Sequence, residues 1–346
     1  MKVADFDFEL PEGRIAVRPA SPRESARLLR IEAGGLRDLT VGDLPGELRA
    51  GDLLVLNDTK VIPARLEGRI GEGRVELNLI RMVDAATWEC LAKPGRKCKP
   101  GVRIDFAAGL SATVTAKDPE GPITLRFSAE GQALMEALDL VGTMPLPPYI
   151  AHLRKPDAQD RSDYQTVFAA REGAVAAPTA SLHLTEAMLA RLATLGVERT
   201  TVTLHVGAGT FLPVKVEDTA DHKMHAEWGE VTPQSAAAIA RARLEGRRVV
   251  AVGTTALRLI EAAAAGGTVA SFAGWTDIFI TPGYRFRAAD LLMTNFHLPK
   301  STLVMLVSAF AGPRRIKAAY AHAVEAGYRF YSYGDACLID RLEQDL

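Results

Sequence analysis

The chain has 346 residues, 48% of them hydrophobic, with a formal net charge of −1. This length gives room for a full core and for one large or two ordinary domains, while the neutral balance excludes a strong overall attraction to nucleic acid. Three cysteines are too few for a disulfide framework, no apolar run reaches the length of a membrane span and the acidic start is unlike a signal peptide, so we expect a cytoplasmic protein.

The first 64 residues contain one clear strand, and polar residues follow it. Residues 53–56 form a buried apolar run after a Gly-Asp turn, and Asn57, Asp58 and Thr59 come directly after it. In open α/β sheets, ligands bind at the carboxyl ends of strands. These side chains are therefore candidates for a site, although a loop of turn-forming residues is an alternative explanation.

The sequence pattern changes between about residues 65 and 149. Short β-rich runs recur there, separated by turns rich in Gly and Pro, and such a series predicts a small barrel or sandwich. The segment ends at residues 144–150, whose three prolines predict a stiff, extended connector. The predicted strands are 74–83, 87–92, 102–106, 111–116 and 123–127.

From about residue 160 the pattern alternates between strand and helix. Thr232 and Pro233 begin one helix. Residues 249–252 form the next buried strand, and Thr254 or Thr255 caps the helix that follows.

The same alternation continues to the end of the chain, where Ser301 and Pro313 each begin a helix. We therefore predict an α/β fold with a mostly parallel sheet and flanking helices. Residues 1–64 and 150–346 form this discontinuous catalytic domain, and residues 65–149 form an inserted, small β-barrel-like domain.

Three loops place a histidine among small polar residues. They are 176–183, 203–211 and 293–301. Hydroxyls, an imidazole and free backbone amides near a helix start are typical of active-site loops. Three such loops predict an enzyme.

Two glycine-containing turns have both a binding and a structural explanation. Gly253, Thr254 and Thr255 follow a buried strand, where amides and hydroxyls either hold a ribose, carboxylate or phosphate or merely cap the helix. Gly207 and Gly209, after the histidine of the second loop, either let the backbone approach a ligand or form a tight turn.

His222, His225 and Glu227 are the group that most resembles a metal site. Two histidines three residues apart with a carboxylate can ligate zinc. However, their order is not H-E-x-x-H, and no cysteine lies near them. A polar turn, or histidines that hydrogen-bond a substrate, is the favoured explanation.

Basic and aromatic residues suggest contacts with nucleic acid, each with a simpler alternative. Residues 328–335 are aromatic and either stack a base or pack into the core. Scattered cations either bind phosphates or cover a solvated surface. The cations concerned are Arg18, Arg23, Arg27, Lys60 and Arg65.

Eight stretches of this sequence, including the histidine loops, resemble the S-adenosylmethionine:tRNA ribosyltransferase-isomerase family of queuosine biosynthesis. The resemblance runs nearly end to end, in the family's order, and it supports the barrel-like insertion. Three positions depart from the family pattern, with Ser181 in place of Gly, Leu184 in place of Phe and Ala26 in place of Ser. Ser181 implies backbone dihedral angles that suit an ordinary residue. The matching stretches are 51–65, 144–150, 163–168, 176–183, 203–211, 251–255, 294–301 and 328–335.

The resemblance implies that the ribosyl part of S-adenosylmethionine is transferred to 7-aminomethyl-7-deazaguanine at the wobble position of tRNA and isomerised. The product is epoxyqueuosine, and adenine and methionine are released. The resemblance implies no metal or other cofactor. S-adenosylmethionine is a consumed substrate in this reaction. The implied partners are S-adenosylmethionine and the tRNA, without a membrane, and the enzyme is expected to be a monomer.

The reaction needs several proton transfers, which indicate roles for the histidines. The sulfonium acidifies the ribose C5′ hydrogens, and departing adenine needs an acid, so imidazoles suit both steps. We expect catalytic roles for His183, His205, His297 and Asp58. We expect substrate binding by Asn57, Thr59, Thr179, Gly207, Gly209, Thr210, His222, His225, Glu227, Gly253, Thr254, Thr255, Asn295, Lys300 and Ser301. We expect tRNA phosphate contacts from Arg14, Arg18, Arg23, Lys60 and Arg65.

Two other functions fit parts of the sequence. A metal-dependent hydrolase or lyase would use His222, His225 and Glu227, and metal analysis of the purified protein would detect it. A non-catalytic RNA-binding module is disfavoured by the near-neutral charge and by the polar histidine loops.

Overall fold

The computed structural model describes residues 1–119, 121–207, 214 and 216–342. The strands in this part of the chain are β1 (Arg27–Glu32), β2 (Gly35–Thr40), β3 (Leu53–Asn57), β4 (Thr59–Val61), β5 (Arg65–Ile70), β6 (Gly73–Met82), β7 (Thr87–Lys93), β8 (Arg103–Asp105), β9 (Ser111–Lys117), β10 (Ile123–Phe127), β11 (Gly142–Thr143), β12 (Arg171–Ala174), β13 (Glu198–Leu204), β14 (Glu227–Val231), β15 (Val249–Val252), β16 (Phe272–Thr276), β17 (Leu291–Asn295) and β18 (Ala336–Asp340). The α-helices are α1 (Leu44–Glu47), α2 (Gly131–Val141), α3 (Pro148–Leu153), α4 (Asp160–Asp163), α5 (Glu186–Thr194), α6 (Pro233–Leu244), α7 (Thr254–Ala263), α8 (Thr302–Ala311) and α9 (Pro313–Glu325).

Nine strands form the main sheet, in the order β16-β14-β13-β3-β15-β17-β18-β1-β2. Its centre is parallel, since β13, β3, β15 and β17 run in one direction. Towards the margins, β14 and β16 are antiparallel, as are the β17–β18 pair and the β1–β2 hairpin. The predicted α/β fold is confirmed, and the sheet is mixed, with parallel strands at its centre and antiparallel pairs towards both margins.

Helices cover both faces of this sheet. α6, α7, α8 and α9 pack on one face around the largest apolar cluster, and α1 and α5 pack on the other. Tyr328 and Phe330 are fully buried in the first cluster, so the aromatic segment near the C-terminus belongs to the core. Within the described residues, no helix has both the length and the apolar character needed to cross a bilayer.

The predicted small β domain is a closed antiparallel barrel. Its strands follow the order β5-β6-β7-β10-β9-β8, and Arg69 of β5 pairs with Asp105 of β8 to close it. The core contains the fully buried Trp88, and α2 packs Leu134 and Leu138 against it. The domain boundaries at residues 65 and 149 stay a prediction.

Helix starts follow the sequence signals with two exceptions. Thr232 caps α6 and Ser301 caps α8, as predicted. The predicted cap of α7 was wrong, because its N-cap is Gly253, with φ +94°, and no side chain caps it. The predicted extended connector was wrong at its end, because α3 begins at Pro148, where proline suits a first turn.

Candidate active site

The carboxyl ends of the parallel strands gather most of the predicted site. β3, β13, β15 and β17 run in the same direction, so Asn57, Leu204, Val252 and Asn295 end their strands on one edge of the sheet. Two of the three histidine loops and the Gly253 turn follow these ends. Two cavities open at this edge, as expected for the ligand side of an α/β sheet.

The larger cavity lies between the barrel and the main sheet and has a volume of about 1530 Å³. The barrel contributes residues of β6, including Ile80 and Arg81, and the main domain contributes His205, Trp228 and Glu230. A site for one small molecule typically measures about 300–1,000 Å³. The cavity therefore has room for more than one substrate group.

His205 lines the larger cavity directly after β13. Its Nδ1 lies 2.8 Å from the Thr59 hydroxyl, and its ring stacks on Trp228 with centroids 5.5 Å apart. Burial lowers the pKa of His205 to about 4, and the nearby Asp58 carboxylate partly opposes this shift. The ring is therefore neutral near pH 7, with one of its two nitrogens free of a proton.

Gly173 of β12 packs against the same imidazole. Its φ is +138°, which favours glycine. A Cβ atom there would lie 3.0 Å from Cε1 of His205. Glycine at this position therefore allows the ring to occupy its place in the cavity wall.

Asn57, which we expected to bind substrate, is fully buried, and both its amide nitrogen and its amide oxygen bond the backbone. Its Nδ2 donates to the Leu204 carbonyl, and its Oδ1 accepts from the Leu204 amide, both at 3.0 Å. Asn57 thus joins the ends of β3 and β13. The next residue, Asp58, accepts a hydrogen bond from the Thr203 hydroxyl at 2.7 Å. Its carboxylate is near enough to His205 to act on the pKa of that ring.

A buried ion pair forms part of the wall of the larger cavity. Glu227 Oε2 lies 2.5 Å from Arg258 Nη1, and both side chains are almost fully buried. Glu227 Oε1 also accepts from the Gly207 amide at 3.1 Å, which fixes the position of Gly207. The buried Nη2 of Arg258 has no hydrogen-bond partner among the described residues.

His222 and His225 line the larger cavity together with Glu227. The His222 ring packs edge-on against Phe279, with centroids 5.2 Å apart, and burial lowers its pKa. Glu227 is already paired with Arg258. Over the described ranges, no group of three or more His, Cys, Asp or Glu residues is arranged to hold a metal ion.

The smaller cavity, of about 100 Å³, lies at the N-terminus of α7. Gly253, Thr254 and Thr255 line it, and Leu303 borders both cavities. The Thr255 side chain is buried, and its hydroxyl has no hydrogen-bond partner in the described part of the chain. An uncapped helix start beside an unpaired hydroxyl is a suitable place for an anion.

The 176–183 loop meets the end of β17 beside this cavity. The Thr179 hydroxyl donates to Asn295 Oδ1 at 2.9 Å, and Asn295 Nδ2 lies 3.2 Å from His183 Nε2. His183 borders neither cavity, and burial, with Arg23 and Arg329 nearby, lowers its pKa to about 3. It therefore orients Asn295 from behind.

The third histidine belongs to the smaller cavity. His297 Nε2 lies 3.0 Å from the Thr294 hydroxyl, and burial lowers the pKa of His297 to about 3. Ser301 also lines this cavity and caps α8. Lys300 instead pairs with Asp7 at 2.8 Å and is half exposed. Thus His205 and His297 line adjoining cavities rather than one.

Two departures from the family pattern are accommodated by the structure. Ser181 is buried and does not have a positive φ, so its backbone suits an ordinary residue as expected. Leu184 is buried in the apolar cluster under α5. Gly209 and Thr210, expected to bind substrate, lie outside the described residues.

Most of the cations expected to contact phosphates are ion-paired. Arg18 pairs with Asp157, Asp160 and Asp163, and Arg23 pairs with Asp163. Lys60 and Arg65 pair with Glu172 and Glu76. Arg14 lies against Gly327. The predicted basic patch is thus largely neutralised by acids.

Sequence reasoning missed several residues that line the larger cavity. They are Arg81, Arg171, Trp228, Arg258 and Trp275. Each stands in a strand, or in a helix with an apolar face, so nothing local marked it as functional. The only available signal was a tryptophan within each of two short stretches, which the structure shows to be the strands β14 and β16.

Comparison with known proteins identifies relatives along nearly the whole chain. The family model described as "Queuosine biosynthesis protein" matches residues 3–339. S-adenosylmethionine:tRNA ribosyltransferase-isomerase from Rhodospirillum rubrum is 62% identical over 344 residues, covering 99% of each chain. The Bradyrhizobium protein of the same name is 58% identical, covering 99% of this chain and 98% of that one. The crystal structure of S-adenosylmethionine tRNA ribosyltransferase from Thermotoga maritima matches with a TM-score of 0.56 and 33% identity, covering 97% of this chain and 99% of that one.

Proposed function

Because the chain belongs to the queuosine biosynthesis protein family and is an enzyme, a transferase and isomerase, we propose that it transfers the ribosyl part of S-adenosylmethionine to 7-aminomethyl-7-deazaguanine at the wobble position of tRNA. The ribose is rearranged to an epoxycyclopentane, adenine and methionine leave, and epoxyqueuosine is formed. The observation that carries this proposal is the cavity of about 1530 Å³ between barrel and sheet, which has room for S-adenosylmethionine and an extruded nucleotide.

His205 is the proposed base that removes a proton from the ribose C5′. Of the three candidate imidazoles, it is the one that lines the larger cavity, and it is neutral near pH 7. Thr59 and Trp228 hold its ring in one orientation, as a general base requires. The Asp58 carboxylate favours the protonated ring that results.

The smaller cavity is the proposed site for the carboxylate of the methionyl group. The positive end of α7 and its free amides attract an anion, and the unpaired Thr255 hydroxyl supplies a further donor. Thr179 and Asn295 complete the wall. Because Leu303 borders both cavities, the sulfonium substrate can reach from one to the other.

His183 and His297 are proposed as positioning residues of this second cavity, since they hydrogen-bond Asn295 and Thr294. The other expected substrate contacts that line a cavity are Gly207, His222 and His225 in the larger and Ser301 in the smaller. We propose no resident metal, and treatment with a chelator is expected to leave activity unchanged.

The tRNA phosphates remain proposed partners of Arg14, Arg18, Arg23, Lys60 and Arg65. Because four of these cations already hold carboxylates, each must exchange an acid for a phosphate. We therefore expect each charge reversal to weaken tRNA binding only modestly. The cytoplasmic location and monomeric state also remain predictions.

Two measurements on one reaction mixture test the proposal. Purified protein, S-adenosylmethionine and tRNA carrying the modified base should release adenine, and in D₂O the C5′ hydrogens should exchange. His205→Ala should lower both rates by at least 100-fold, whereas His152→Ala, at an exposed position bordering neither cavity, should lower neither. Absence of adenine with the wild-type protein would refute the function, and normal exchange in His205→Ala would refute the role of His205.

A further inference from the structure

Three aromatic rings stand in one row across the wall of the larger cavity. Trp228 of β14 and Trp275 of β16 are directly opposed in antiparallel register. The His205 amide donates to the Trp228 carbonyl at 3.0 Å, so His205 is opposite Trp228 on the other side. Directly opposed residues project from the same face of a sheet, and all three rings line the cavity.

Trp275 is the most exposed ring of this row. His205 and Trp228 are partly buried, whereas Trp275 is 48% exposed. An indole so exposed on an edge strand gives up the burial that normally stabilises tryptophan. Its exposure is therefore consistent with binding a flat ring from solution.

The barrel places a cation against the outermost ring. The Arg81 guanidinium of β6 lies 5.1 Å from the centroid of the Trp275 ring, and it is paired with Glu89. Arg171, also exposed, lines the same cavity. Aromatic faces with neighbouring arginines are the usual means of holding an unpaired nucleobase.

We propose that Trp228 and Trp275 form a stacking platform for a purine-like ring, and that this ring is the 7-deazaguanine of the tRNA rather than the adenine of S-adenosylmethionine. The inference rests on the proposed function and adds the residues that receive the base. A base extruded from tRNA stays tethered to its backbone outside the cavity. It therefore meets the exposed Trp275 at the mouth first.

Binding measured without turnover tests the platform. Trp275→Leu keeps an apolar side chain but removes the π face, and Trp275→Phe keeps a smaller one. For tRNA carrying the modified base, in the absence of S-adenosylmethionine, we expect Trp275→Leu to raise Kd about 10- to 100-fold and Trp275→Phe to raise it less. The KM for S-adenosylmethionine should stay within about twofold.

A matched control and a spectroscopic readout separate stacking from a general defect. Leu244→Ala alters another exposed apolar residue, which lines neither cavity, and should leave Kd unchanged. The tRNA should quench the tryptophan fluorescence of the wild-type protein. In the Trp228→Phe/Trp275→Phe double variant the quenching should disappear, because the remaining Trp88 is buried in the barrel core.

Each outcome is decisive. A raised KM for S-adenosylmethionine with unchanged tRNA affinity would assign the platform to adenine and overturn the proposal. Unchanged values for both substrates in Trp275→Leu would also overturn it. If the wild-type protein binds the tRNA and releases adenine in either case, the proposed function stands, so the two failures are distinguishable.

Discussion

Thr255→Val tests whether the smaller cavity holds the carboxylate of S-adenosylmethionine. The substitution is nearly isosteric and removes only the buried hydroxyl that lacks a partner in the described structure. A hydrogen bond to a charged group contributes about 1.5–3 kcal/mol. Its loss should therefore lower kcat/KM for S-adenosylmethionine by roughly 10- to 150-fold, while the amides of α7 continue to attract the anion.

Decarboxylated S-adenosylmethionine is the probe that isolates this contact. The wild-type enzyme should prefer the intact substrate, and Thr255→Val should lose most of that preference, because its missing donor matters only when the carboxylate is present. The assay is adenine release at saturating modified tRNA, with each sulfonium compound varied in turn. The measured quantity is the ratio of the two kcat/KM values, from which effects on folding or on tRNA binding cancel.

Thr166→Val is the matched control. Thr166 is also buried and its hydroxyl also lacks a described partner, but it borders neither cavity. It should keep the full preference for the carboxylate. Equal losses with both compounds in Thr255→Val, or the same loss of preference in Thr166→Val, would refute the assignment of the smaller cavity.

Three other predictions follow from the geometry. Gly173→Ala should reduce adenine release far more than Gly267→Ala, since both have positive φ but only the first would meet the His205 imidazole; equal effects in an activity assay would contradict this. Burial lowers the pKa of His297 to about 3, whereas a histidine in the unfolded chain keeps a pKa near 6.5. Below pH 6.5 the unfolded chain therefore binds one more proton than the folded chain, and the free energy of unfolding falls as the pH falls from about 6.5 to about 3. His297→Gln should then reduce the slope of the unfolding free energy against pH near pH 5 by about 1.4 kcal/mol per pH unit. If free energies from urea titrations at several pH values give the same slope for the variant and the wild type, this prediction is wrong. Arg258→Met should lower the unfolding free energy by about 3–5 kcal/mol, because its carboxylate partner stays buried; an unchanged melting temperature would show that the pair is not buried in solution.

Local signals in the sequence predicted many of the elements, and they placed polar residues at the edge of the sheet where the two cavities open. Thr232 and Ser301 mark helix starts by chemistry that acts within one turn. His205 after β13 lines the larger cavity, and Thr59 after β3 hydrogen-bonds it, because parallel strands bring their carboxyl ends together. Both inferences depend on neighbours in the chain or on a general rule of sheet topology.

The pairing of distant residues could not be predicted in this way. Arg18 seemed free to bind phosphate because its acidic partners lie about 140 residues away. Trp228 and Trp275 lie side by side on one face of the sheet only because β14 and β16 pair in one particular register. A shift of one residue between the two strands would place the rings on opposite faces of the sheet. Such contacts depend on the whole fold, and no local pattern records them.

The mixed sheet explains why the candidate site has two unequal parts. Its parallel centre ends at His205 and at the start of α7, and this edge supplies amides, hydroxyls and imidazoles for a small, polar substrate. Its antiparallel margin, β14 and β16, extends the wall sideways to the barrel. α7 packs on the other face of this margin, where Gly229 lies against Leu259. Trp228 and Trp275 are therefore left on the cavity side, where we propose that a tethered nucleotide reaches the polar edge.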